Sequence, residues 1–191
     1  YGMEQIEDFN SLLNSDNNYE VADRIGILTK HIVDNCIIAL DREVLDATIR
    51  DLVLAKCVYV YSCGDIGDES ASLVRKLNSL GKKAVYLNPC ENVSEMINQM
   101  NREDAIIITF NDINKYQNSH VDEITKSEAV KILISTMDDP DTKIEADHYF
   151  YTYPKGNDLI RHNEYVSQLS ALVGQNIILG CLYRSLSNIE N

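Results

Sequence analysis

Apolar positions along the chain fall into two regimes, a helical one to about residue 55 and an alternating one after it. From Glu4 to Leu13 the residues Ile6, Phe9, Leu12 and Leu13 follow helical spacing. The polar stretch Ser15-Asp16-Asn17-Asn18 then breaks the pattern and offers an N-cap. Between Tyr19 and Leu40, Ala22, Ile25, Leu28, Ile32, Cys36 and Ala39 recur every three or four residues, a stripe along about six helical turns. Asp41 is placed to cap a third helix with Val44, Leu45, Thr48, Ile49, Leu52 and Val53 on one face.

The pattern changes at Cys57, where Cys57-Val58-Tyr59-Val60-Tyr61 is a β-branched and aromatic run, followed by a Gly-containing turn and an amphipathic segment to Leu80. The unit repeats: strands are predicted at Lys83 to Leu87, Ala105 to Thr109, Val130 to Ser135 and His148 to Tyr153, with helices at Val93 to Met100 and Val121 to Lys126. A last helix, from about Asn163 to Leu186, carries Val166, Leu169, Leu172 or Val173, Ile177, Cys181 and Leu182 on one side. Alternation of this kind predicts an α/β fold in three layers, a five-stranded parallel sheet of flavodoxin-like type buried on both faces, behind a helical N-terminal preamble. Residues 1–55 form that preamble and residues 56–191 the sheet domain. Ligands of such sheets bind beyond the carboxyl ends of the strands, here Ser62 to Gly67, Asn88 to Cys90, Phe110 to Asn114, Ser135-Thr136 and Pro154 to Gly156.

Composition narrows the function. With 45% hydrophobic and 25% charged residues, three Pro and eight Gly, the chain is neither disordered nor collagen-like, and no apolar tract approaches the ~20 residues that span a bilayer. A formal net charge of −13 repels phosphate backbones and anionic lipids, so this chain alone is expected to bind neither DNA nor a membrane. Cys36, Cys57, Cys63, Cys90 and Cys181 are odd in number and scattered through apolar stretches, as reduced core cysteines of a cytoplasmic protein are. The N-terminus has no basic and apolar signal-peptide regions. The surplus of apolar helix surface points to a homo-oligomer, a dimer in the simplest case.

The first strand-end loop, with Gly64 and Gly67 entering a helix, has the outline of a phosphate cradle but lacks the P-loop Lys and the three-glycine fingerprint. Asp65, Asp68 and Glu69 stand where an anion would sit; they suit a helix start, and Asp65, Asp68 and Asp112 could suit a hard cation, the helix reading being preferred. Asp112, Thr136 and Lys155 follow successive strands in the order of a phospho-receiver, which would need an acidic pair after the first strand. His31, His120, His148 and His162 show no diagnostic spacing; no catalytic residue, metal site or cofactor is assigned, and His31 and His148 read as structural. Tyr149, Tyr151 and Tyr153 alternate as strand residues do, and the acidic balance argues against base stacking.

The order of these elements, with Leu54-Ala55-Lys56 leading into the first strand, Lys76-Leu77-Asn78-Ser79-Leu80-Gly81 before the second, Asp104-Ala105-Ile106-Ile107 opening the third and Ala146-Asp147 before the fifth, resembles the SIS (sugar isomerase) domain of RpiR-type transcriptional regulators. Tyr1-Gly2 and Phe9 resemble the segment that closes the helix-turn-helix domain in that family, which places a DNA-binding half upstream of this chain. The resemblance implies an effector-sensing and dimerisation domain for a regulator of carbohydrate metabolism, with a sugar derivative at the strand ends and DNA reached only through the missing half. It implies ligand contacts at Ser62, Gly64, Asp65 and Ile66 in the first loop and at Asn111, Asp112, Asn114 and Lys115 in the second. There Ile66 replaces the family's phosphate-binding Ser, and its Ser-x-Ser-Gly-x-Thr falls on Phe110 to Lys115, so the phosphosugar site reads as degenerate. A slipped register would bring in Ser70 or Ser72, but inside the helix. An aldose–ketose isomerase and a ligand-free dimerisation module are the alternatives; the isomerase would need a phosphate clamp and a base.

Overall fold

The computed structural model describes residues 16–62, 67–89, 91–110, 120–135, 144–152 and 164–187. The segment of Ile6, Phe9, Leu12 and Leu13 lies outside them. The elements are α1 (Asn18–Ala39), α2 (Arg42–Leu54), β1 (Val58–Ser62), α3 (Gly67–Ser79), β2 (Ala84–Leu87), α4 (Ser94–Gln99), β3 (Ala105–Phe110), α5 (Val121–Lys126), β4 (Val130–Ser135), β5 (His148–Tyr151) and α6 (Glu164–Ser187). All five strands pair in parallel, in the order β2-β1-β3-β4-β5. The chain steps outward from β1 to β2, crosses back to β3, and continues to β4 and β5. Right-handed crossovers then require α3 on one face and α4 and α5 on the other, and the direction reverses between β1 and β3.

Burial follows that arrangement. One core joins Val58 and Val60 of β1, Ala105 and Ile107 of β3, and Ile132 and Ile134 of β4 to Ile49 and Leu52 of α2, Leu73 and Leu77 of α3, and Ile178 and Leu182 of α6. The opposite core joins Tyr61, Leu87, Ile106, Ile108 and Leu133 to Val93, Ile97, Met100 and Ile124. The central strands are therefore apolar on both sides, each fully buried Ile contributing about 1.5–3 kcal/mol relative to exposure.

The ends are fixed locally. Asn17 Oδ1 accepts from the Tyr19 N–H at 3.0 Å, and Asp41 Oδ1 from the N–H groups of Glu43 and Val44 at 2.8 and 3.1 Å, capping α1 and α2 as their sequences predict. Gly81, at φ +77°, closes α3: the Gly81 and Lys82 N–H groups return to the carbonyls of Asn78 and Leu77, a reversal that favours glycine. His148 Nε2 lies 2.6 Å from Asp51 Oδ2, tying β5 to α2, and Asn35 bonds the His31 ring and carbonyl within α1; both histidines have structural partners. Tyr149 and Tyr151 stack, ring centroids 6.1 Å apart, on a strand paired to β4.

Two helices depart from the simple pattern. α6 does not carry one stripe: Ile178 and Leu182 face the sheet, whereas Val166, Leu169, Val173 and Ile177 pack with Leu28, Ile32 and Cys36 of α1. A helix apolar nearly all round is one buried on two sides. α1 in turn packs its apolar stripe on α6, and the Cys36 thiol, its pKa pushed up to about 12 by burial, stays protonated and donates to the Thr152 carbonyl at 3.0 Å. The rest of α1 leaves Tyr19, Ile27, Val33, Ile37 and Ile38 exposed.

α6 reaches the sheet so closely at Gly174 that an added Cβ would lie 2.7 Å from Thr152 Cγ2 and 3.2 Å from Ile134 Cγ2. Both methyls sit on stiff β-branched side chains. Gly174→Ala is expected to cost about 1–3 kcal/mol, a fall of several degrees in Tm by thermal melting, whereas Gly180→Ala, with open space around it, is not.

Candidate functional site

Of the residues assigned to ligand contact from the sequence, the structure describes Ser62, the last residue of β1. Gly64, Asp65, Ile66, Asn111, Asp112, Asn114 and Lys115 lie outside the described residues, as do Cys63, Cys90 and Thr136. Asp68 and Glu69 fall in the first turn of α3, where acids favour the helix start.

Ser62 pairs with Thr109 across the β1–β3 junction, the point where the crossovers reverse. The strand alternation that turns Val58 and Val60, and Ala105 and Ile107, toward α3 and α6 turns these two hydroxyls the same way. Gln175 of α6 meets the Thr109 hydroxyl, its Nε2 donating to Thr109 Oγ1 at 3.2 Å and to Ser70 Oγ of α3 at 3.3 Å. Ser70 and Thr109 are fully buried and Gln175 nearly so. Ser62 is 1% exposed, and its Oγ has no hydrogen-bond partner among the described residues. Leaving a buried hydroxyl unpaired costs about 1–3 kcal/mol. Thr109 and Gln175 escaped the sequence reading, which brought in Ser70 only through a slipped register; the signals were a hydroxyl near the end of an apolar strand and an amide within an apolar helix.

A second polar group forms on the other face of the sheet. Ser94, first residue of α4, donates from Oγ to Glu123 Oε1 at 3.1 Å, and His120 Nδ1 lies 3.3 Å from Glu123 Oε2. The His120 ring meets that of Tyr61 edge-on at 6.3 Å. His120 holds φ at 119°, outside the ordinary range of a non-glycine residue, and no residue type in the sequence announces it. Chemically, Glu123 can orient the imidazole as the carboxylate of a His–carboxylate pair does: in the tautomer that carries its hydrogen on Nδ1, Nε2 is the basic nitrogen. Among the described residues no group of three His, Cys, Asp or Glu side chains could hold a metal ion, and no helix is long and apolar enough to cross a membrane.

No protein-family model matches the chain, and no curated protein matches it in sequence. Solved structures do match in fold. The sugar isomerase domain of the RpiR transcription factor of Sphaerobacter thermophilus superposes with a TM-score of 0.68 at 16% identity, over 87% of this chain and 92% of that one. A candidate sugar-phosphate isomerase of Listeria monocytogenes gives 0.70 at 19% identity, over 91% and 94%. The Vibrio vulnificus NanR protein, solved in complex with ManNAc-6P, gives 0.73 at 11% identity, over 90% of this chain and 66% of NanR. The class defined by these likenesses is the α/β fold of the sugar isomerase (SIS) type.

The Ser94–Glu123 bond, ahead of the His120 contact, holds the Glu123 carboxyl below its ordinary value, against an opposing contribution from burial. A depressed carboxyl stabilises the fold above the unfolded value of about 4.3, and that contribution is lost as pH falls through the folded value. Titration of Glu123 by carbon-13 NMR is expected to give a midpoint below 4.3, moved upward by Ser94→Ala. An unchanged midpoint in the variant would contradict the assigned bond.

Proposed function

We propose that the chain is the effector-sensing and dimerisation domain of an RpiR-type regulator of carbohydrate metabolism, not an enzyme, with residues 1–55 linking and dimerising and residues 56–191 sensing. The observation that carries the reading is the SIS-type sheet, similar both to a transcription factor's sugar isomerase domain and to NanR bound to a sugar phosphate. On this reading DNA is reached through a helix-turn-helix domain outside this chain, and the protein is cytoplasmic. The effector sits at the carboxyl ends of β1 and β3, near Ser62, with Gly64, Asp65, Ile66, Asn111, Asp112, Asn114 and Lys115 supplied by the adjoining segments.

A phosphoryl group fits these residues poorly. Ile66, Phe110 and Ile113 have no side-chain donor where the family has hydroxyls or glycine, and Asp65, Asp68, Glu69 and Asp112 oppose a dianion against Lys115 in the same loops. At ~6 Å and an effective dielectric of ~20, each uncompensated carboxylate opposes it by several kcal/mol before salt screening, more than the ~1 kcal/mol a helix N-terminus returns. The effector is accordingly an uncharged or amino sugar. Calorimetry is expected to show weak or no binding of ManNAc-6P and hexose phosphates. A micromolar Kd for any of them, abolished by Lys115→Ala, would overturn the degenerate-site reading.

The second reading, an aldose–ketose isomerase, is favoured by the Ser94–His120–Glu123 group, which supplies an oriented base. Interconversion of a hexose phosphate by the purified chain, lost in His120→Gln, would select it.

The dimer is proposed to form through α1. Tyr19, Val33 and Ile37 share one side of that helix, away from Leu28, Ile32 and Cys36, and Tyr19 is 82% and Ile37 55% exposed. Such a side on a helix that packs, among the described residues, on α6 suits a two-fold contact with a second copy. Light scattering is expected to return a dimer, reduced to the 21.6 kDa monomer by Ile37→Asp; a wild-type monomer at high micromolar concentration would contradict the assembly.

A further inference from the structure

The interior of α1 contains an exposed glycine, Gly26, and a Cβ added there would meet open space. Glycine within a helix costs stability, and no close contact among the described residues calls for it. The exposed residues on its side of the helix are arranged symmetrically about it. Tyr19 and Val33 stand seven residues before and after Gly26, and Asp23 and Lys30 three before and four after. At 100° per residue, Tyr19, Gly26, Val33 and Ile37 share one narrow strip, with Asp23 and Lys30 together along one edge of it. Arg24 pairs with Glu20 on the flank, whereas Asp23 and Lys30 make no ion pair among the described residues. A parallel two-fold pair of such helices would set Asp23 beside Asp23 of the partner subunit and Lys30 beside Lys30 of the partner subunit. An antiparallel pair crossing at Gly26 sets opposite charges together instead, once on each side of the axis. Helical side chains lean toward their own N-terminus, so across that crossing Tyr19 leans outward to where Val33 of the partner subunit and Ile37 of the partner subunit lean inward.

We propose that two copies of this chain pair through α1 in antiparallel direction, crossing at Gly26, with Asp23 bound to Lys30 of the partner subunit and Tyr19 seated between Val33 of the partner subunit and Ile37 of the partner subunit. The occupant is a second copy because the surface is its own complement in both charge and shape. This inference rests on the reading of α1 as the dimer surface and adds the direction, the register and the residues that select the partner. Gly26 lets the two backbones approach, the apolar strip is covered, and the paired charges exclude the parallel arrangement.

Sedimentation equilibrium of the full chain provides the test. Gly26→Leu is expected to weaken dimerisation about tenfold or more, while leaving Tm unchanged or higher at a concentration where the chain is monomeric, because leucine favours the helix and has room there. Asp23→Lys is expected to weaken it about fivefold or more, although it reduces a net charge of −13 that opposes association. The double variant Asp23→Lys with Lys30→Asp is expected to restore the wild-type Kd to within about twofold. A dimer disrupted by Ile37→Asp but unaffected by Gly26→Leu, or one that the double charge reversal does not restore, overturns this pairing and leaves the α1 dimer standing. A dimer insensitive to Ile37→Asp and Gly26→Leu alike, or a wild-type monomer, overturns both; a monomer that dimerises once residues 1–13 are removed gives the face to that segment.

Discussion

A parallel sheet covered on both faces permits polar side chains at its edges and almost nowhere else. That constraint governs this molecule. On the face toward α3 and α6, Val58, Val60, Ala105, Ile107, Ile132 and Ile134 leave the three central strands without a side-chain hydrogen-bonding group until the carboxyl ends are reached. The first hydroxyls on the α3/α6 face of β1 and β3, Ser62 and Thr109, appear at the one junction where the crossovers reverse. Chemistry is confined to this edge because the interior has no means of satisfying it.

The pattern of the sequence carried the fold to within a residue or two at most element ends. Asn17 and Asp41 announce their caps, and β-branched runs announce β1, β3 and β4. What it could not carry was anything that depends on two neighbours at once. α6 is apolar on several sides, so its periodicity cannot tell which residues meet α1 and which meet the sheet. Ser94 and His120 come together only because α4 and α5 start beside each other on one face, a consequence of crossover handedness and not of local sequence. Of the candidate site, Ser62 was legible as a strand end; its burial, and its company of Ser70 and Gln175, were tertiary facts.

The two polar groups divide the carboxyl edge by face. Ser62, Thr109, Ser70 and Gln175 lie on the α3 and α6 side, whereas Ser94, His120 and Glu123 lie on the α4 and α5 side beside Tyr61. The first group is neutral and donor-rich; the second contains a carboxylate and an imidazole. A sensor requires only the first kind of chemistry, and proton transfer requires the second, so the two functional readings differ by which side of the sheet contacts the ligand.

α1 rests its apolar stripe on α6 and is pinned to the sheet layer by a thiol hydrogen bond to the Thr152 carbonyl. Its hydrophobic attachment is therefore that of a single helix pair, while the sheet is held by two full cores. In the hierarchy of partial openings available to the native state, detachment of α1 exposes less apolar surface than an event that separates a strand from both cores. A second copy seated on Tyr19, Val33 and Ile37 would raise that rung first. In the proposed dimer, association would slow amide hydrogen exchange in α1 well before it altered exchange in β3.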